Sequence, residues 1–350
     1  MIDYVARSAF AHTVRRAAFA LLGLTAACDA QGAVSPGDGS PDPAETGHVT
    51  AAPSFLAGAR IWRNADSPAR RQADAWRSSR PVDADMMDRI ASQPIAQWIG
   101  GWTGDVRSHV RNIIARADGD GSVPVFVAYN IPHRDCGGYS ASGAQSSAAG
   151  YRSWIRDVAA GIAGGRAVVV LEPDAVAQVS CLPAAGQEER FALLREAVEL
   201  LKGAGAAVYI DAGNARWVGA DVMAARLKRA AIDKADGFSL NVSNFISTAA
   251  NVAYGEALSA RLSGKHFVID TSRNGTGGRS DGQWCNPSGQ ALGQSPTTRT
   301  GHRLVDAYLW IKYPGESDGP CNGGPAAGVW WPEYALGLAQ RQAAILASRS

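Results

Sequence analysis

Charge is scarce in this chain of 350 residues. Asp, Glu, Lys and Arg make up 19% of it, and 34 basic against 32 acidic residues leave a net charge of +2. That balance gives no electrostatic footprint for nucleic acid or for an anionic membrane surface. Histidine is sparse too. His12 and His48 lie ahead of the expected domain, and His109, His133, His266 and His302 show no ligand spacing. No cysteine pair has Cys-x-x-Cys spacing, so a zinc site is not expected. The chain also lacks a Gly-x-Ser-x-Gly elbow, a His-Glu-x-x-His pair, a Walker A loop and a Gly-x-Gly-x-x-Gly after a strand. No metal and no cofactor is implied.

Long apolar runs are missing as well. The N-terminal run Ala17 to Ala27 is too short to span a bilayer as a mature helix. With Arg7, Arg15 and Arg16 ahead of it and small residues at its end, it reads as a secretion signal over residues 1–28. Cys28 follows Leu24-Thr25-Ala26-Ala27, which resembles a loose bacterial lipoprotein box. Two readings stand: a lipid anchor on Cys28, or ordinary cleavage among the alanines. Residues 29–53 are rich in Pro, Gly, Ser, Asp and Ala and read as a linker. Residues 54–350 carry one composition and read as one domain, either secreted or attached to the cell envelope and expected to act as a monomer. Of five cysteines, loss or lipidation of Cys28 leaves Cys136, Cys181, Cys285 and Cys321. An even four suits two disulfides in an oxidising compartment; three pairings are open, and local closure favours Cys136 with Cys181 and Cys285 with Cys321.

What is present is an alternation. Short apolar runs at Ile95–Ile99, Val123–Tyr129, Ala167–Leu171, Ala207–Ile210, Gly237–Asn241, His266–Ile269 and Val305–Ile311 read as strands. Between them, apolar residues recur at helical spacing, as in Tyr151, Trp154, Ile155, Val158 and Ile162, or Phe191, Leu194, Val198 and Leu201. Near-continuous apolar strands separated by helices predict an α/β fold with a parallel sheet, closed or open.

Acids follow the strands. Asp135 lies beyond the second, Glu172 and Asp174 follow the third, and Asp211 and Asp270 end the fourth and sixth; Glu316 and Asp318 follow the seventh. In either α/β architecture the carboxyl ends of the strands share one edge, where active sites are built. Any one of these acids serves equally well as a helix cap. Together, in a chain with ten tryptophans, they point to acid/base chemistry on a sugar. Glycoside hydrolysis needs one carboxylic acid for the leaving oxygen and a second carboxylate to assist water or attack the ring.

Seven blocks in order carry a family resemblance: YNIPHRDCGGYSASG from Tyr129, VVVLEPD from Val168, VYIDAGNARW from Val208, GFSLNVSNF from Gly237, VIDTSRNG from Val268, WCNPSGQALG from Trp284 and DAYLWIKYPGESDG from Asp306. They resemble glycoside hydrolase family 6, the cellulases once called family B, from about Phe55 to Ala339. The resemblance implies a distorted seven-stranded parallel (β/α) barrel, a TIM-barrel variant. It also implies inverting hydrolysis of β-1,4-glucan chains. By position it makes Asp174 the general acid and Asp135 the neighbour that helps raise its pKa. Asp318 becomes the base, with a relay through Asp135 and a loop serine as the other route for the water's proton. Tyr129 falls under the distorted sugar. Asp211, Asn241, Lys312 and Glu316 match further positions of the site, and Trp62, Trp217 and Trp284 match stacking platforms. The two disulfides would brace active-site loops.

Two departures stand out. Asn214 occupies a position where the family often has histidine, and the loop after Asp135 is one residue longer than in some relatives, so the relay serine is Ser140 or Ser142, with Ser142 preferred. Only ten residues separate Gly319 from Trp330, and the stretch from Arg273 to Trp284 is also short. Short loops leave a cleft unroofed, which favours an endoglucanase over a cellobiohydrolase; a catalytically silent glucan-binding lipoprotein would need a lost acid, yet Asp135, Asp174 and Asp318 are all present.

Overall fold

The structure, a computed structural model, describes residues 56–277 and 282–348. The signal, Cys28 and the linker lie outside those residues. Seven parallel strands form one sheet in chain order: β1 (Gln97–Ile99), β2 (Val125–Ala128), β3 (Ala167–Leu171), β4 (Ala206–Asp211), β5 (Gly237–Leu240), β6 (His266–Asp270) and β7 (Val305–Leu309). Helices α1 (Pro68–Trp76) and α2 (Pro81–Ala91) precede the sheet, and α8 (Pro332–Ala347) ends the fold. Each step from β1 to β6 is made by one helix: α3 (Val106–Gly119), α4 (Ala148–Ile162), α5 (Ala184–Gly203), α6 (Ala220–Arg229) and α7 (Thr248–Arg261).

The strands read as near-continuous apolar runs because both faces are buried. Alternate residues separate cleanly, as a period of two requires. Val125, Val127, Val168, Val170, Ala207, Tyr209, Val268, Ala307 and Leu309 form an inner cluster. Phe126, Val169, Leu171, Val208, Ile210, Phe238, Phe267 and Ile269 face outward into one layer with the apolar stripes of α3 to α7. Between β1 and β7 the sheet closes by a single parallel bridge, Ile95 with Trp310, where the Ala96 amide donates to the Trp310 carbonyl at 3.0 Å. A third cluster, built by α1, α2 and α8 around Ile95 and Trp310, covers that seam. The result is the distorted seven-stranded parallel barrel that the sequence resemblance implied.

Strand limits move where other acceptors win. Val123 pairs with Ile61 instead of entering β2. The Ile311 and Lys312 amides, expected near the end of β7, donate to the Asp270 carboxylate at 3.2 and 2.9 Å. Asp270 also accepts the Ser243 and Ser272 amides, at 3.1 and 2.9 Å, so one fully buried side chain ties together the carboxyl ends of β5, β6 and β7. Two other strand-end acids work the same way. Glu172 accepts the Asn130 and Ile131 amides beyond β2, and Asp211 accepts the amides of Asp174 and Gly213. None of these three caps a helix: α3, α4 and α7 are capped by Asp105, Ser147 and Ser247.

Removing a buried acceptor strands its donors, at about 1–3 kcal/mol for each. Asp270→Ala is therefore expected to lose about 3–5 kcal/mol of stability, read as a lower midpoint in urea unfolding followed by tryptophan fluorescence.

Candidate active site

The carboxyl ends of the strands open on one cleft of about 1120 Å³. Of the residues singled out in the sequence, Tyr129, Asp135, Ser142, Asp174, Trp217, Trp284, Lys312, Glu316 and Asp318 line it. Asp211, Asn241 and Trp62 do not.

One wall carries Asp135 and Asp174. Asp135 lies in a short turn after β2 in which His133, Asp135 and Cys136 all take left-handed backbone, with φ of 57°, 53° and 48°. Asp174 follows β3 and is also left-handed, with φ of 72°. Such conformations are costly for residues with a Cβ and persist where the surroundings hold them. The disulfide Cys136–Cys181 links the two loops, as local closure suggested. The Arg134 guanidinium is buried between the Trp102 and Tyr129 rings and donates to the carbonyls of Tyr129, Ser140 and Ser142, which fixes the loop of both candidate serines. The Ser140 amide in turn donates to Asp135 Oδ2 at 2.8 Å.

The protonation of this wall follows from its contacts. Burial, then the charge of Asp211, then that of Asp135, hold the Asp174 carboxyl well above the usual carboxylate range. Burial also pushes Asp211 up to about 7, but hydrogen bonds oppose the shift. Asp211 accepts from the Asp174 and Gly213 amides and from the Ser239 hydroxyl. No donor among the described residues reaches the carboxyl oxygens of Asp174. Donors favour the ionised form. The proton therefore resides on Asp174 and the charge on Asp211, and Asp174 presents an acid to the cleft.

Asp318 also lines the cleft. Arg273, itself fully buried, grips both its oxygens at 2.9 Å, and the Asn286 amide adds a bond of 3.0 Å to Oδ2. This forked pair fixes the carboxylate plane. Nearby, Lys312 Nζ lies 3.6 Å from Glu316 Oε2. Burial raises the pKa of Glu316, and Lys312 offsets only part of the shift.

Aromatic faces line the floor and rims. Trp102, Trp217 and Trp284 are exposed, and Trp98 meets Tyr129 edge-on at 5.4 Å. From the rim beside Asp135, Tyr139 reaches across to Trp284, at 6.1 Å between ring centroids, and lies against Gly319. Beyond Gly319 the chain folds back on its own base. The Ser317 amide donates to the Val329 carbonyl, Asn286 Nδ2 donates to the Gly319 carbonyl, and Cys321 is bonded to Cys285.

The sequence profile of the glycosyl hydrolases family 6 matches residues 56–342. The chain belongs to that family. Endoglucanase A of Cellulomonas fimi is 46% identical over 268 residues, and this chain spans 58% of its length. Endoglucanase 1 of Streptomyces halstedii is 45% identical over 276 residues, covering 75% of this chain and 84% of the relative. Among solved structures, the endoglucanase Cel6 of Mycobacterium tuberculosis, in complex with methyl-cellobiosyl-4-deoxy-4-thio-β-D-cellobioside, superposes with a TM-score of 0.78 at 44% identity. It covers 82% of this chain and 99% of that one.

Within the family frame, three expected contact residues lie elsewhere. Trp62 is 5% exposed and packs in the apolar layer between sheet and helices, because its amide is drawn to the Val123 carbonyl ahead of β2. Asn241 spends its amide on the Asp270 carbonyl and the Ile246 N–H, shaping the loop that brings Ser243 to the cleft. Asp211 sits behind Asp174 as described. The sequence reading missed Trp98 and Trp102 as cleft tryptophans, and Arg134 and Arg273 as the cations that hold the Asp135 loop and Asp318. Arg134 adjoins Asp135 in the chain, a local hint; Arg273 lies 45 residues from Asp318, and nothing local marks the pair.

Removing the charge behind Asp174 relieves its repulsion. In Asp211→Asn the Asp174 carboxyl is expected to lose its proton at lower pH than in the wild type, followed by carbon NMR of carboxyl-labelled aspartate. An unmoved titration would show that Asp211 does not set the acid.

Proposed function

We propose that this protein is an inverting endo-β-1,4-glucanase acting on cellulose or related β-glucans. The observation that carries the reading is that one aromatic-lined cleft holds both Asp174, whose carboxyl burial and neighbouring acids push well above the usual range, and an arginine-fixed carboxylate, Asp318. Asp174 donates its proton to the glycosidic oxygen as the bond breaks. The attacking water approaches from the far side of the ring. An inverting pair leaves room for that water, with carboxyls about 6.5–9.5 Å apart. Asp318 is assigned as base. A second route for the water's proton, through Ser142 or Ser140 to Asp135, is favoured by one contact: the Arg273 fork occupies both oxygens of Asp318. Tyr129 supports the strained sugar, and Lys312 with Glu316 binds hydroxyls beside it.

Endo action is supported by the loop beyond Gly319, which is pinned to Ser317 and Asn286 at its base and has no length for a roof. Among the described residues, the Tyr139 side chain lies against Trp284 and Gly319 at the rim. The relatives named endoglucanase favour the same choice over a cellobiohydrolase. We read residues 1–28 as a secretion signal and 29–53 as a linker, and two disulfides suit the oxidising side of a membrane. Cys28 offers a lipid anchor there, with simple cleavage as the alternative.

Proton NMR of cellohexaose during digestion tests the reading. The α-anomer is expected first at new reducing ends, with internal cuts; early β-anomer overturns it. Asp174→Asn is expected to lower kcat by about 10²- to 10⁴-fold, the usual worth of a general acid.

A further inference from the structure

Arg190 lies on α5, outside the cleft, and is 2% exposed. Among the described residues no carboxylate comes within ion-pair distance of it. Its two terminal nitrogens are spent on main-chain carbonyls instead, and its buried Nε finds no partner among the described residues. Nη2 donates to His133 O at 2.7 Å and to Pro132 O at 3.0 Å, and Nη1 reaches Ala175 O at 3.4 Å. Pro132 and His133 lead directly into Asp135, and Ala175 directly follows Asp174. One planar fork thus bridges the two loops that carry the acid pair. Both loops are held in left-handed backbone at His133, Asp135, Cys136 and Asp174. A buried charge satisfied only by carbonyls is costly, and arginine cannot shed its proton to escape the cost. An apolar side chain would fill the same space in α5 at less cost, so packing gives no reason for a guanidinium there. The Cys136–Cys181 bridge ties the same two loops, but through residues at the surface. Arg226 offers a contrast: it grips Val176 O and Ala177 O, on the Asp174 loop alone.

We propose that Arg190 is a positioning residue for catalysis, holding the Asp135 and Asp174 loops in the relative placement that aims Asp174 at the leaving oxygen. A lysine at this position keeps the charge but has a single head, which cannot hold two loops in one plane. The inference rests on Asp174 being the general acid, and the test separates the two ideas.

The experiment compares cellohexaose, whose leaving group needs a proton, with 2,4-dinitrophenyl β-cellotrioside, whose leaving group departs without one. Activity is counted per folded molecule from circular dichroism. Asp174→Asn must lose far more on cellohexaose than on the aryl substrate; equal losses there would sink the acid assignment itself. Given that signature, Arg190→Lys is expected to repeat it in part. A loss of kcat of about 10- to 100-fold is expected on cellohexaose, the scale of a misplaced catalytic group, with little loss on the aryl glycoside and KM nearly unchanged. The basic limb of its pH profile should also move to lower pH, as the acid pair separates. Arg226→Gln serves as the control for loop loosening and should lower Tm without changing the substrate ratio. Should Arg190→Lys not fold, Arg190→Met, which fills the same space with an apolar chain, is read in the same way. Equal losses on both substrates with an unmoved pH profile, or no loss at all, would reduce Arg190 to a structural contact and overturn the proposal.

Discussion

Parallel strands that end together leave their last amides without partners, and in this barrel buried carboxylates accept them. Glu172, Asp211 and Asp270 each stand at the end of a strand and bond the backbone of the loop beside it. The arrangement has a cost. All three carboxyls are removed from water, and burial lifts Glu172 and Asp211 to about 7. Their return is geometric: the loops leaving β2, β3, β5 and β7 are anchored to neighbouring strands rather than to themselves. Everything the cleft does depends on loops placed in this way.

The same constraint sets the chemistry. A carboxylate that accepts backbone amides keeps its charge, and a neighbour without donors must then keep its proton. Asp211 and Asp174 are such a pair, joined through the Asp174 amide itself. Asp211 and Asp174 are therefore one electrostatic unit, and the fold's way of ending its strands also raises the pKa of a carboxyl that lines the cleft. At Asp318 the logic is reversed. Asp318 is not left bare but is gripped by Arg273, so its plane is fixed by a cation that is itself fully buried.

Cations recur beneath the site in a consistent role. Arg134 donates to carbonyls of the Asp135 loop, Arg226 to carbonyls of the Asp174 loop, and Arg190 to both. The left-handed residues of those loops turn carbonyls away from any ladder, and the guanidinium forks collect them. A chain with little charge overall has concentrated a good part of it where backbone is irregular.

The sequence by itself determined the parallel α/β architecture, because strands buried on both faces must be apolar throughout and the helices between them show a single stripe. It also determined that acids gather at one edge, and the cysteine spacing pointed to both disulfides. It could not divide the acids into those that hold backbone and those that face the cleft. Glu172 and Asp174 stand two residues apart, and only the free amides of the neighbouring strand decide which of them turns inward. Nor could it tell Trp62 from Trp102, yet one is covered by the helix layer and the other faces the cleft. Pairings such as Arg273 with Asp318 were decided by tertiary structure alone, because loops 45 residues apart in the chain become neighbours only when β6 and β7 pair.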